Sequence, residues 1–372
     1  MARCHIWLAA FAVIAGSAHA QSTSVTLYGV VDANIEYVSH YSSITPTPAN
    51  GLSRGPAENL FRLSSGGLSG SRWGLRGVED LGGGWKGLFV LESGFGLDDG
   101  KSQQGGRLFG RQAFVGIRSD QLGQLSFGRQ YTSIFEGFAN FSPGGFPTQY
   151  EPVVVETGLN HRSDNTVKYS GQFGGVTAFA HWSFGNGVAG GGEVPGQFRR
   201  DTGYGASLGY ASGPFGVAVV YDQYSPTLNA AGATGDFKKA GAAASYSFGA
   251  AKVMGGYRWG RNADASGVTL LRDNFYWLGG TYQVTPAISL ALTYFYDDVK
   301  NLAGTNIKNP WQVSFIADYS LSKRTDIYLT TAYVKESGIN FDTSAIGFAN
   351  GYFLGTGKNS MFAAAVGIRQ KF

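Results

Sequence analysis

From Val25 onward the chain alternates. Val25, Leu27, Gly29, Val31, Ala33, Ile35 and Tyr37 fall on one face of an extended segment, and Thr26, Tyr28, Asp32, Asn34 and Glu36 on the other. Side chains point alternately to the two faces of a strand, so this period of two predicts a ribbon with one apolar and one polar side. The same reading sets Trp73 and Leu75 against Arg72, Gly74 and Arg76. Trp311, Val313, Phe315, Ala317 and Tyr319 oppose Gln312, Ser314, Asp318 and Ser320, with Ile316 joining the polar set. Tyr204, Ala206, Leu208 and Tyr210 oppose Gly203, Gly205, Ser207 and Gly209.

Segments of strand length recur at 25–37, 72–80, 85–95, 109–117, 124–131, 166–170, 176–184 and 204–210. They continue at 217–224, 240–248, 252–259, 275–284, 288–296, 311–320, 326–334 and 362–372, sixteen in all. Their connections alternate between tight turns, such as Leu81-Gly82-Gly83-Gly84 and Ala211-Ser212-Gly213-Pro214, and long polar stretches, such as 39–56 and 96–106. Tight turns of this composition make hairpins, and successive hairpins make an antiparallel meander. An even strand number, short turns at one end, long loops at the other and aromatics near segment ends predict an all-β, 16-stranded antiparallel transmembrane β-barrel. A soluble sandwich would share the alternation but not the asymmetry of the connections. The last segment runs apolar at every second residue to Phe372, so it pairs with the first if the barrel is to leave no open edge.

Composition sharpens this picture. Among 372 residues there are 57 Gly, 26 Phe and 20 Tyr, while charged residues make up only 15%. Beyond the N-terminus no apolar run approaches the ~18 residues of a membrane helix. The first twenty residues are a separate device: Arg3 and His5, an apolar run from Ile6 to Gly16, and Ala18-His19-Ala20. This is the layout of a secretory signal peptide cut before Gln21, which leaves residues 21–372 as the barrel domain. Cys4, the single cysteine, lies inside it, so the exported chain would hold no disulfide. Without Arg3 the formal charge falls from +4 to +3, and the charges are scattered, which argues against nucleic acid as a partner.

Covalent chemistry finds little footing. Gly82-Gly83-Gly84 and Gly190-Gly191-Gly192 join no strand to a helix and so do not read as phosphate cradles. With His40, His161 and His181 as the only histidines after residue 20 and no cysteine, no metal set, cofactor site or thiol nucleophile is expected. A barrel hydrolase built on Ser, His and Asp remains an alternative without a supporting motif. So does a substrate-specific channel, although Tyr28, Phe179 and Phe295 form no series along polar faces.

Several stretches together resemble the general porins of β-proteobacteria. They are Val25-Thr26-Leu27-Tyr28-Gly29-Val30-Val31-Asp32, the run Gly67 to Gly84 around Ser71-Arg72-Trp73-Gly74, Phe127-Gly128-Arg129-Gln130, and Arg162 to Tyr169. The resemblance implies an outer-membrane homotrimer, in contact with lipid and lipopolysaccharide, for passive diffusion of ions and small hydrophilic solutes. It implies that a long third loop, 132–165, folds into the lumen, and that Phe372 signals to the assembly machinery. A lumen filter would then carry a basic wall of Arg72, Arg76, Arg111, Arg162 and Lys168, with Lys86 and Arg258 also on polar faces. The family's acidic loop motif is reduced here to isolated Glu136, Glu151 and Glu156. Since lumen charges set selectivity, this balance leads us to expect a mild preference for anions.

Overall fold

The computed structural model describes residues 23–185, 193–229, 231–342 and 351–372, so the leader expected at 1–20 lies outside them. Seventeen strands follow one another: β1 (Thr23–Ser42), β2 (Ala57–Ser65), β3 (Arg72–Gly82), β4 (Trp85–Gly94), β5 (Gln112–Ser119), β6 (Gly123–Tyr131), β7 (Arg162–Phe173), β8 (Val176–Ser183) and β9 (Gly203–Ser212). Then come β10 (Phe215–Tyr224), β11 (Asp236–Phe248), β12 (Ala251–Ala263), β13 (Thr269–Thr285), β14 (Ile288–Leu302), β15 (Trp311–Ser320), β16 (Thr325–Lys335) and β17 (Ser360–Lys371). From β3 to β17 each strand pairs antiparallel with the next, and β17 returns to β1 through Val30–Val38 against Lys371–Ala363. The sheet is closed. Phe372 completes the seam, exchanging both backbone hydrogen bonds with Gly29 at 3.0 Å.

Seventeen strands make sixteen staves, because β2 and β3 share one. β3 pairs with Thr23–Val30, and β2 pairs with Ala33–Ser42 on the same side of β1. β2 departs from the sequence expectation, which left 57–65 unassigned. Its adjacent Leu60 and Phe61 break the appearance of alternation, yet Phe61 and Leu63 face outward at 73% and 56% exposure. The chain leaves the wall between β2 and β3, and the Asp32 carboxylate gathers it back. It accepts the backbone N–H groups of Gly67, Leu68 and Ser69 at 3.0, 3.0 and 2.8 Å, and the Tyr328 hydroxyl. Tyr328 reaches Asp32 across β17 by lying over Gly367, where any Cβ would meet its ring.

The outside of the barrel is apolar and the inside polar. Along β10, Val217 and Val219 are 49% and 55% exposed while Ala218 and Val220 are buried. Along β15, Gln312, Ser314 and Ile316 are buried as the alternation requires. Such an apolar outer band far exceeds what a protein in water exposes and suits lipid. No described helix is long and apolar enough to cross a membrane; the strands do the crossing.

Candidate pore site

The connection from β6 to β7 spans 132–161, and β7 begins at Arg162, four residues earlier than the alternation indicated. Polar Arg162–Asn165 hides the start, where a bulge and Asn165 in the left-handed region interrupt the ladder. Two short helices form within the connection, α1 (Ser133–Ala139) and α2 (Val153–Thr157). Five of its apolar residues are buried: Ile134, Phe138, Phe141, Tyr150 and Val155. They pack on buried residues of the strands, Phe138 meeting Trp277 edge-on at 5.0 Å.

Hydrogen bonds fix its backbone at several points. Trp277 Nε1 donates to the Phe141 carbonyl at 2.8 Å, Gln312 Nε2 and Ser314 Oγ to the Tyr150 carbonyl at 2.9 and 2.5 Å, and Arg258 Nη2 to the Val155 carbonyl at 2.5 Å. Tyr150 Oη in turn donates to Glu36 Oε1 at 2.8 Å. The segment is thus tied to β12, β13, β15 and β1, which fall within the run of staves from β12 through β17 to β1.

Against this segment stands a cluster of arginines. Glu92, at the loop end of β4, is its pivot. Glu92 Oε1 accepts Arg111 Nε at 2.7 Å, Oε2 accepts the Tyr28 hydroxyl at 3.0 Å, and Arg72 Nε lies 3.7 Å away. Tyr28 reaches Glu92 by crossing Gly74, where a Cβ would stand 2.7 Å from its ring. On the other flank, Arg111 Nη2 and Arg162 Nη2 both donate to the Tyr131 hydroxyl, at 3.0 and 3.1 Å, and Arg162 stacks on that ring at 4.8 Å. Phe135 of α1 also stacks on the Tyr131 ring, centroid to centroid 4.3 Å. Beside it, burial and the Arg162 charge push His161 down to about 3, so its neutral Nε2 accepts Arg162 Nη1 at 3.0 Å.

Arg72, Arg111 and Arg162 line one cavity of about 360 Å³, together with Ser69, Gln104 and, from the connection, Phe146 and Glu151. Glu92 thus joins two of these arginines, Arg72 and Arg111, while Arg162 meets His161 and the Tyr131 hydroxyl. The other residues named from sequence lie elsewhere. Arg76 is exposed, over the Tyr28 ring at 5.6 Å, and Lys86 pairs with Asp120 at 3.1 Å beside a short turn. Lys168 is buried against Glu136 at 2.9 Å, and Arg258 pairs with Asp273. Glu151 hydrogen-bonds Ser142 at 2.6 Å, and burial raises its carboxyl to about 8. Glu156 is buried without a hydrogen-bond partner and is pushed well above the usual range, by burial first and Glu151 second. Near neutral pH Glu151 is protonated, since desolvation disfavours the charged form. Glu92 and Tyr131 were missed in the sequence. The one signal for Glu92 is a lone acid ending an apolar strand on the face shared with Lys86.

Ser, His and Asp do come together once. Ser133 Oγ is 2.9 Å from His181 Nδ1, and His181 Nε2 is 3.7 Å from Asp222. Nδ1 also accepts the Ser133 backbone N–H at 3.1 Å, and Ser133 is fully buried and lines none of the described cavities. The contact fastens α1 to β8. Among the described residues no cluster of three or more His, Cys, Asp or Glu could hold a metal ion.

A closed barrel, apolar outside and holding a polar, arginine-lined cavity within, defines an outer-membrane channel protein. The chain belongs to the Gram-negative porin family, whose model matches residues 8–339. It is 30% identical to an outer membrane porin protein of Bordetella pertussis, over 98% of each chain. It is 31% identical to outer membrane porin protein 32 of Delftia acidovorans, covering 98% of this chain and 99% of the relative. The anion-selective porin from Comamonas acidovorans superposes with a TM-score of 0.74 at 26% identity, covering 94% of this chain and all of that one. This chain is accordingly an outer-membrane channel for passive diffusion.

Proposed function

We propose that segment 132–161 folds into the lumen and narrows it against Arg72, Arg111 and Arg162, making a diffusion pore that prefers anions. Its anchors on β12, β13, β15 and β1, together with the contact of α1 to His181 of β8 on another part of the wall, support that placement. The observation that carries the selectivity is the charge imbalance. Three guanidinium groups line a cavity whose one acidic lining residue, Glu151, is kept protonated by burial, while Glu92 meets Arg72 and Arg111 from outside that lining. Arg76 would add to the positive potential from outside the narrowest part, whereas Lys168 is offset by Glu136 at 2.9 Å. The anion-selective Comamonas porin, with this fold, agrees with the reading.

The working unit in this reading is a homotrimer. β2 pairs only with β1 among the described residues, and Phe61, Leu63 and Ile35 make an exposed apolar patch beside its open edge. An uncovered edge of this kind calls for a neighbour. Residues 1–20 would direct export, Phe372 would present the closing strand to the assembly machinery, and the apolar band would meet lipid and lipopolysaccharide. Reversal potentials across a planar bilayer separating unequal KCl solutions test the selectivity: a chloride preference is expected, and a potassium preference refutes it.

A further inference from the structure

A second cavity, of about 330 Å³, lies on the far side of α2 between that helix and the wall from β10 to β14. Val154 lines both cavities, so α2 is the partition between them. The walls are mostly apolar: Val155, Leu159, Phe237, Leu271, Leu302 and Ile307. Four charged side chains share the lining. Arg258 and Asp273 neutralise one another as an ion pair, and Asp297 keeps one buried oxygen without a partner. Lys239 is different. Among the described residues no hydrogen bond or ion pair engages its ammonium, although it reaches over the backbone of Gly158 at the cavity wall. The Tyr224 hydroxyl, on a residue 96% buried, is a second donor of this lining without a partner.

We propose that this cavity binds an amphipathic monocarboxylate, its carboxylate on Lys239 with Tyr224 as the second donor, and its apolar chain along the wall behind α2. An uncharged apolar solute would leave the ammonium desolvated and unpaired, which is costly. A small hydrated anion would gain nothing from the apolar wall. A dianion would find no second free cation among the described residues of this lining, since Arg258 is already paired with Asp273. Cavities of this size with a few placed polar groups are typical of small-molecule sites. At roughly 30 Å³ per water-sized group the space suits a ligand of on the order of ten heavy atoms, the size of octanoate.

The test uses the full-length porin in lipid nanodiscs, dialysed to equilibrium against labelled octanoate, with uptake by empty nanodiscs subtracted. One saturable site per chain is expected. Lys239→Met weakens it about ten-fold or more, as loss of a charge-assisted hydrogen bond should, and Lys239→Arg largely retains it. Leu159→Glu, a half-exposed position where a new carboxylate would repel the ligand, also weakens binding. Lys239→Met keeps the wild-type reversal potential in KCl, which shows an intact barrel and separates this site from the arginine filter. No saturable uptake above empty discs, unchanged binding in Lys239→Met, or equal competition by octyltrimethylammonium would overturn the proposal.

Discussion

Replacing Arg111 with glutamine removes one of three cations from the cavity while leaving a polar side chain to meet Tyr131. Its effect on permeation follows from Coulomb's law. An ion in the water-filled passage about 5 Å from the guanidinium, at a dielectric constant of about 80, feels about 0.8 kcal/mol. Screening at 0.1 M salt leaves roughly six-tenths of that, about 0.5 kcal/mol. Anions lose this attraction and cations lose the same repulsion, so their difference shifts by about 1 kcal/mol, or about five-fold in the chloride-to-potassium permeability ratio. Arg162→Gln should act in the same direction. Lys86→Gln should leave the ratio unchanged, since Lys86 pairs with Asp120 at 3.1 Å beside a short turn outside the cavity. The assay is the reversal potential of single channels in a KCl gradient, repeated at 1 M salt, where the shift should shrink. If Arg111→Gln and Arg162→Gln both conduct with the wild-type reversal potential, the arginines do not form the filter.

Acid–base behaviour gives a second prediction. The Glu151 carboxyl is raised to about 8 from its ordinary 4.5, so the folded loop holds a proton that the released loop does not. Linkage then makes the loop's anchoring weaken as pH rises from the ordinary value toward 8 and level off beyond it. Ionisation of Glu151 in the folded loop also adds a negative charge to the cavity, so the preference for anions should decline as pH passes about 8. Glu151→Gln should flatten that decline, and a persistent decline in the variant would assign it to another group. Trp277→Phe deletes the bond to the Phe141 carbonyl and should cost about 1 kcal/mol of loop anchoring, seen as faster hydrogen exchange over 138–146 with the strands unchanged. Tyr328→Phe removes a hydrogen bond to the Asp32 carboxylate and should destabilise the barrel by roughly 2 kcal/mol in a urea titration.

The staves were legible because each outward side chain must be apolar and each inward one need not be, a constraint that writes itself into alternate positions. β2 escaped because Leu60-Phe61 puts two apolar residues together, one of them inward. The start of β7 escaped because its first four residues are polar on both faces. Arg72, Arg111 and Arg162 were readable as basic positions near loop ends. Glu92, the partner of Arg72 and Arg111, was not, since the cross-strand register of β3, β4 and the start of β5 brings these three together. The loop glutamates show the sharper limit. Sequence gives Glu151 and Glu156 a nominal charge, but desolvation decides whether they carry it, and desolvation belongs to the packed loop.

The clasp at Asp32 bears on time as well as stability. Its bond to Tyr328 joins residues 296 apart in sequence, and the seam it guards joins the two ends of the chain. Contacts so remote carry the largest loop-closure entropy and form late. An interaction made after the rate-limiting step leaves the folding rate nearly untouched and enters almost wholly into the unfolding rate. Asp32 therefore sets how long a closed barrel survives, with little say in how quickly it closes.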